Sequence, residues 1–119
     1  MSGPVPTEIH LRRAEKLLEI TFDDGSAFVL PAEYLRVESP SAEVQGHGPS
    51  ERKTIAGRRH VGMLGLEQVG NYAVRILFDD QHDTGIFSWE YLHELGRERS
   101  NKWHAYLDAL KRQGLTRDP

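Results

Sequence analysis

Ile76–Leu92 reads ILFDDQHDTGIFSWEYL, in which two aspartates, a histidine and a third aspartate fall within five residues between two apolar runs. Its centre can be read as a metal site, an acid/base site or a turn. The chain itself offers a control. ITFDD at Ile20–Asp24 matches ILFDD at Ile76–Asp80 in four of five residues, and EYL at Glu33–Leu35 returns as EYL at Glu90–Leu92 after one inserted residue. Both copies read strand, acidic turn, strand, short helix. The first copy carries Asp23 and Asp24 with no histidine, so the aspartate pair serves a turn on its own. What is peculiar to the second copy is Gln81-His82-Asp83, and any chemistry there belongs to His82.

Outward from the two copies, Leu18, Ile20 and Phe22 alternate with Glu19 and Thr21, the period of two of a half-buried strand. The run Leu17–Phe22 is predicted to pair as a hairpin with Glu8–Leu11. Asp23-Asp24-Gly25 is a turn, because aspartate accepts bonds from nearby backbone and glycine takes positive φ. Ala27–Leu30 resumes as a strand until Pro31, which is placed at the first position of a short helix. Val61–Val69 and Tyr72–Phe78 form a second hairpin across Gly70-Asn71. Ser88 is the expected N-cap of a helix carrying Trp89, Leu92 and Leu95 and broken near Gly96. Ser100 is expected to cap a last helix with Trp103, Tyr106, Leu107 and Leu110 on one side and Gly114 as its stop. Trp89 and Trp103 read as core anchors.

Composition narrows the function classes. A chain of 119 residues with 38% hydrophobic content suits one domain with one modest core. Fifteen basic against 18 acidic side chains leave a formal charge of -3, which argues against a surface built for nucleic acid or an anionic membrane. The absence of cysteine excludes disulfides and thiolate metal ligation. No run reaches the roughly 18 apolar residues of a membrane helix, and MSGPVPTE lacks the apolar centre of a signal peptide. A cytoplasmic protein is expected.

Between the copies, Glu38–His60 (ESPSAEVQGHGPSERKTIAGRRH) has little apolar periodicity; so long a loop in a small domain points to a partner surface. Its basic residues Arg52, Lys53, Arg58 and Arg59 lack the interleaved aromatics that would stack on bases. No nucleophilic cysteine, G-x-S-x-G elbow, phosphate loop or H-E-x-x-H pair is present. A general acid/base role remains for His82 beside Asp80 or Asp83. A zinc or iron site remains for His82 with His47 and His60, although no local spacing supports it.

LRVESPSAEVQGHGP at Leu35–Pro49 and VGNYAVRILFDDQHDTGIFSWEYLHELG at Val69–Gly96 together resemble the gamma-butyrobetaine hydroxylase-like N-terminal domain family, much of it catalogued as a domain of unknown function. The resemblance covers Ile9–Gly96, leaving 97–114 as a helical extension. In the carnitine-synthesis oxygenases this domain precedes a catalytic jelly roll holding iron and 2-oxoglutarate. That jelly roll is absent here, and hydroxylase activity is not implied. The resemblance further implies a structural zinc held by three cysteines and a histidine. His82 falls on the histidine position, and Ser39, Ser41 and Val44 fall on the cysteine positions, so the inherited set is reduced to one ligand. Family members are also fused to P-loop iron-sulfur carriers, which by analogy places the domain near cluster assembly or delivery.

The expectation is an α+β domain spanning 1–119, a mainly antiparallel sheet built from two strand-turn-strand-helix units with C-terminal helices. It is expected to be a non-catalytic accessory or protein-interaction domain, with Glu43, His47, Arg58, Arg59, Asp80, His82, Asp83 and Trp89 as the contact surface. No cofactor is expected, and a protein partner is. The alternatives are a zinc or iron domain centred on His82, or a small enzyme using His82 as base.

Overall fold

Along Leu17–Phe22 burial alternates, with Leu18, Ile20 and Phe22 at 0 to 1% exposure and the residues between them half-exposed. That period of two gives the strand one inward face. In the computed structural model, which describes residues 3–41 and 53–119, this strand is β2, the centre of the meander β1 (Pro6–Arg12), β2 (Leu17–Phe22) and β3 (Ala27–Pro31). A short helix α1 (Ala32–Val37) follows. The second half repeats the plan with β4 (Met63–Val69), β5 (Ala73–Phe78), β6 (Ile86–Ser88) and α2 (Trp89–Arg97), and α3 (Arg99–Gln113) completes the order. All pairing is antiparallel, and the α+β class holds. The strands divide into two three-stranded sheets, one per half, whose inward residues, among them Ile20, Phe22, Ile76 and Phe78, meet Leu35 and Leu95 of the helices in one cluster.

The repeat visible in sequence runs through the whole fold. Both halves carry a register irregularity where the first strand opposes the end of the second, at Pro6/Glu8 and at Met63/Gly65. Both make the turn after Phe22 or Phe78 in the same way. Phe22 N donates to Ser26 O at 2.8 Å and Phe78 N to His82 O at 3.0 Å, with Gly25 (φ 88°) and Gln81 (φ 72°) in the left-handed region.

The halves also exchange contacts. Tyr34 of α1 donates its hydroxyl to Leu95 O at 2.7 Å, and the corresponding Tyr91 of α2 donates to Glu38 O at 2.5 Å. Two residues further on, Arg36 Nε donates to Asp80 at 2.8 Å, and the corresponding His93 lies 2.9 Å from Asp24. Each half thus anchors its helix on the other half's turn, the reciprocity of an approximate two-fold relation. A third reciprocal pair is steric: a Cβ at Gly96 would collide with the Phe28 ring, and a Cβ at Gly85 would collide with Ser39 Oγ. Phe28 occupies the position in the first half that Gly85 holds in the second, and Ser39 the position that Gly96 holds. Large residue and small residue have changed places.

Several boundaries differ from the sequence expectation. Pro31 is the last residue of β3 and the N-cap of α1, with φ −67° and ψ 148°, so the helix starts at Ala32. Val69 pairs with Ala73, leaving Gly70, Asn71 and Tyr72 in a three-residue loop; only Gly70 takes positive φ, so the two-residue turn with both residues left-handed does not form. Helix α2 runs through Gly96 to Arg97. Gly96 therefore gives close approach to Phe28 instead of a break. Ser88 does cap α2, its hydroxyl accepting from Tyr91 N at 3.0 Å, and Gly114 (φ 67°) ends α3 as expected.

Candidate functional site

The Asp79–His82 turn is built by its own backbone. Asp80 Oδ1 accepts from His82 N at 3.1 Å, as Asp24 Oδ1 accepts from Ser26 N at 2.9 Å. Both aspartates satisfy a donor that the tight turn would otherwise leave unpaired. The second turn then gains what the first lacks, because the residue after the left-handed position is His82 in place of Ser26.

His82 is turned inward and only 5% exposed. Its Nε2 lies 2.9 Å from Ser39 Oγ and 3.3 Å from Ser41 Oγ, and its ring stands 5.9 Å from that of Phe78. Ser39 arrives from the end of α1, its N–H bonded to Arg36 O at 3.4 Å. Gly85 makes the room: with any side chain at that position, Ser39 Oγ would have no place. Burial removes water as an alternative partner, so serine–histidine hydrogen bonding here does structural duty.

Asp80 joins this cluster to the surface. Its Oδ2 is 2.8 Å from Arg36 Nε and 2.8 Å from Arg58 Nε, and the Arg36 side chain is 2% exposed. Burial pushes the carboxyl's pKa up most, but the Arg36 and His82 N–H hydrogen bonds together with the charges of Arg36 and Arg58 outweigh it, holding the group below the usual aspartate value. A hollow of about 230 Å³ opens here, lined by Arg36, Arg58, Asp80, His82, Asp83 and Thr84 among others.

The other sequence-derived residues are distributed as follows. Arg58, Asp80 and His82 come together with the exposed Asp83 at the hollow's edge. Arg59 pairs with Asp118 at 2.5 Å. Trp89 donates its indole N–H to Asn71 O at 2.8 Å, beside the loop at the far end of β5, roughly 20 Å along the strand from Asp80 by strand rise. His60 is exposed, and its carbonyl accepts from Lys16 Nζ at 2.8 Å. Glu43, Val44 and His47 lie outside the described residues. Among the described residues, no three of His, Asp and Glu converge in a way that could hold a metal ion.

The zinc implied by the resemblance can be tested against this donor set. Ser39 and Ser41 stand where two of the three sulfur ligands would stand, and both approach the same ring nitrogen, Nε2, that a metal bound from that side would need. Neutral hydroxyls are poor zinc ligands, and one imidazole does not make a tetrahedral site. The described residues do not fit the metal.

Sequence reasoning passed over the charges of α1. Glu33 and Arg36 are 7% and 2% exposed in a helix buried on every side, and Glu38 at its C-cap is 4% exposed. Glu33 takes a two-pronged bond from Arg117, at 2.8 and 2.6 Å. Arg117 in turn stands 5.2 Å over the Trp103 ring. A signal existed in AEYLRVE: charged residues interleaved with apolar ones leave no polar stripe, so a helix made of it must bury some charge and pair it.

Comparison with known proteins agrees with this architecture. Two NMR solution structures superpose with TM-score 0.85 each, at 44% and 42% identity, covering 99% of this chain and 93% and 88% of theirs. A crystal structure from Acidithiobacillus ferrooxidans, described as a protein with unknown function belonging to the DUF971 family, superposes with TM-score 0.65 at 37% identity, covering 76% of this chain and 91% of that one. No curated protein matches significantly. The model of the family described as gamma-butyrobetaine hydroxylase-like, N-terminal, matches residues 9–93, a span that includes strands β2 to β6, both exchanged tyrosines and the His82 turn. The chain belongs to the gamma-butyrobetaine hydroxylase-like N-terminal family.

Proposed function

We propose that the chain is a non-catalytic accessory domain that binds another protein through the face around the His82 turn. The observation that carries this reading is the inward commitment of the polar groups that could have done chemistry. His82 Nε2 is engaged by two serine hydroxyls, and Asp80 is held by two guanidinium groups and a backbone N–H. A general base must reach a substrate proton, and a ring 5% exposed with its Nε2 already engaged is poorly placed to do so. What faces outward is a charge pattern, with Asp83 at the hollow's edge and Arg59 next in sequence to the hollow's Arg58, on a support tied by the Arg36–Asp80 and Arg58–Asp80 ion pairs. Such patterns serve orientation and partner choice.

The family resemblance makes a P-loop iron-sulfur carrier the first partner to try. A chain without cysteine contributes contacts to such a partner, not thiolates.

The test is crosslinking in the native host followed by purification of the tagged chain, comparing wild type with Asp83→Arg and Arg59→Glu. A specific protein should be enriched by wild type and lost in both variants, with circular dichroism unchanged. Equal recovery by the variants, or no recurrent partner, sinks the reading.

A further inference from the structure

A second place in the molecule, away from the His82 turn, is built to hold a guanidinium group. Glu33 points from the buried helix α1 with its side chain 8% exposed. Arg117 of the C-terminal tail meets it fork to fork, Nε to Oε2 at 2.8 Å and Nη2 to Oε1 at 2.6 Å. The indole of Trp103 lies under the guanidinium, 5.2 Å from its central carbon to the ring centroid. Carboxylate at the edge and aromatic face below together match the two recognition surfaces of arginine, planar donor fork and delocalised cation. Lysine offers neither the fork nor the flat face.

The tail's other anchors are of a different kind. Gly57 N donates to Thr116 O at 3.0 Å and Arg59 N to Arg117 O at 2.9 Å, while the Arg59–Asp118 pair has side chains 39% and 64% exposed. Thr116, Asp118 and Pro119 are exposed, and Arg117, its side chain 30% exposed, is the residue among Thr116–Pro119 most withdrawn from solvent. Beside it a cavity of about 330 Å³ is lined by Pro31, Tyr34, Arg99, Ser100, Trp103 and His104 as well as the pair itself. That is the lower end of the size of small-ligand sites, with room for more chain than the tail supplies. Once the tail leaves, both Glu33 oxygens lose their fork of donors, which an incoming guanidinium restores.

We infer that the Glu33–Trp103 pocket is an arginine-binding site, filled in cis by Arg117 and open to an arginine side chain of a partner peptide when the tail is displaced. Arg99 at the rim adds positive charge, and Arg59 meets the residue after Arg117 at 2.5 Å, which together disfavour polybasic segments and fit an arginine followed by an acidic residue. The tail's own Arg117-Asp118 has that order.

Chemical rescue tests the site. Arg117→Ala should lower the thermal midpoint, and millimolar free arginine or ethylguanidinium should restore most of the loss, whereas lysine and sodium chloride at the same concentration should not. In Arg117→Ala/Glu33→Gln the rescue should disappear. A second measurement uses Arg117→Lys, which keeps the charge, in a Trp89→Phe background so that Trp103 alone reports: an Arg-Asp peptide should shift its emission saturably, and a Lys-Asp peptide should not. Absence of rescue, rescue that persists in the double variant, or no arginine-selective shift each overturns the inference.

Discussion

The hydroxyls of Tyr34 and Tyr91 cross between the two halves of the molecule, one closing on Leu95 O and the other on Glu38 O. Each tyrosine replaces water for a carbonyl near the end of the opposite helix. Burial raises the Tyr34 phenol well above its ordinary pKa, so it remains a donor throughout the neutral range. Tyr34→Phe and Tyr91→Phe should each cost about 1 to 3 kcal/mol, the penalty of an unpaired buried carbonyl. Tyr91 and Glu38 both act on the Tyr34 phenol, so the double variant should depart from additivity by about 0.5 kcal/mol or more. Urea unfolding measures both; a cost near zero for either would remove that hydroxyl from the scaffold.

The exchanged glycines give a steric prediction. Gly85→Ala drives a methyl into Ser39 Oγ, and Gly96→Ala drives one into the Phe28 ring. Overpacking of this kind costs about 1 to 3 kcal/mol. Ser39→Ala should recover much of the Gly85→Ala loss, because it removes the colliding oxygen, and should do nothing for Gly96→Ala. Thermal denaturation of the two double variants separates the cases.

Acid and alkali should act through different groups. Asp24 is held at about 2, below its usual 3.8, first by the Ser26 hydroxyl and then by the Ser26 N–H, and Asp80 is also lowered. Folded carboxylates that take up protons less readily than unfolded ones stabilise the fold above the unfolded pKa, and that contribution goes as pH falls toward the folded value. Stability should therefore drop as pH falls from about 4 to about 2, more shallowly in Asp24→Asn. Tyr106, raised from 10.0 to about 12 chiefly by burial, has the opposite sign. Its contribution is complete below pH 10.0 and is lost as pH rises toward about 12, and tyrosinate absorbance should rise with unfolding in that window.

Metal should be indifferent to the wild-type protein. After incubation with zinc or anaerobic iron(II) and desalting, elemental analysis should find no stoichiometric metal, and a chelator should leave the thermal midpoint in place. Ser39→Cys/Ser41→Cys, which supplies two thiolates beside His82, should bind zinc and become chelator-sensitive. Stoichiometric metal in the wild type that is lost in His82→Ala or His47→Ala would overturn the hydrogen-bonded reading of the site.

Local pattern made part of this legible. The alternation in LLEITF delimits β2 at Leu17–Phe22, and the repeated F-D-D gives both turns, because each signal depends on neighbours in sequence. Ser88 and Gly114 act as cap and stop for the same reason. The misread positions are those where a distant residue decides. Gly96 looks like a helix breaker until Phe28 is seen against it, and the burial of Arg36, unread in the sequence, follows from Asp80, 44 residues away. The family resemblance singles out Ser39, Ser41 and His82, but the approach of both hydroxyls to one ring nitrogen depends on a contact across 41 to 43 residues of chain that no local pattern encodes.

The crossing of the two halves also bears on how fast the chain finds its structure. The bonds Tyr34–Leu95, Arg36–Asp80 and Asp24–His93 close loops of 61, 44 and 69 residues. Neither half can complete its helix anchors until the other has folded at least in part. Loop-closure entropy must be overcome before these distant partners reward it, so the sheets, whose strands all pair with sequence neighbours, should form first and stay exposed until the contacts between halves close. Aggregation during that interval, more than any weakness of the finished core, is the hazard this architecture carries.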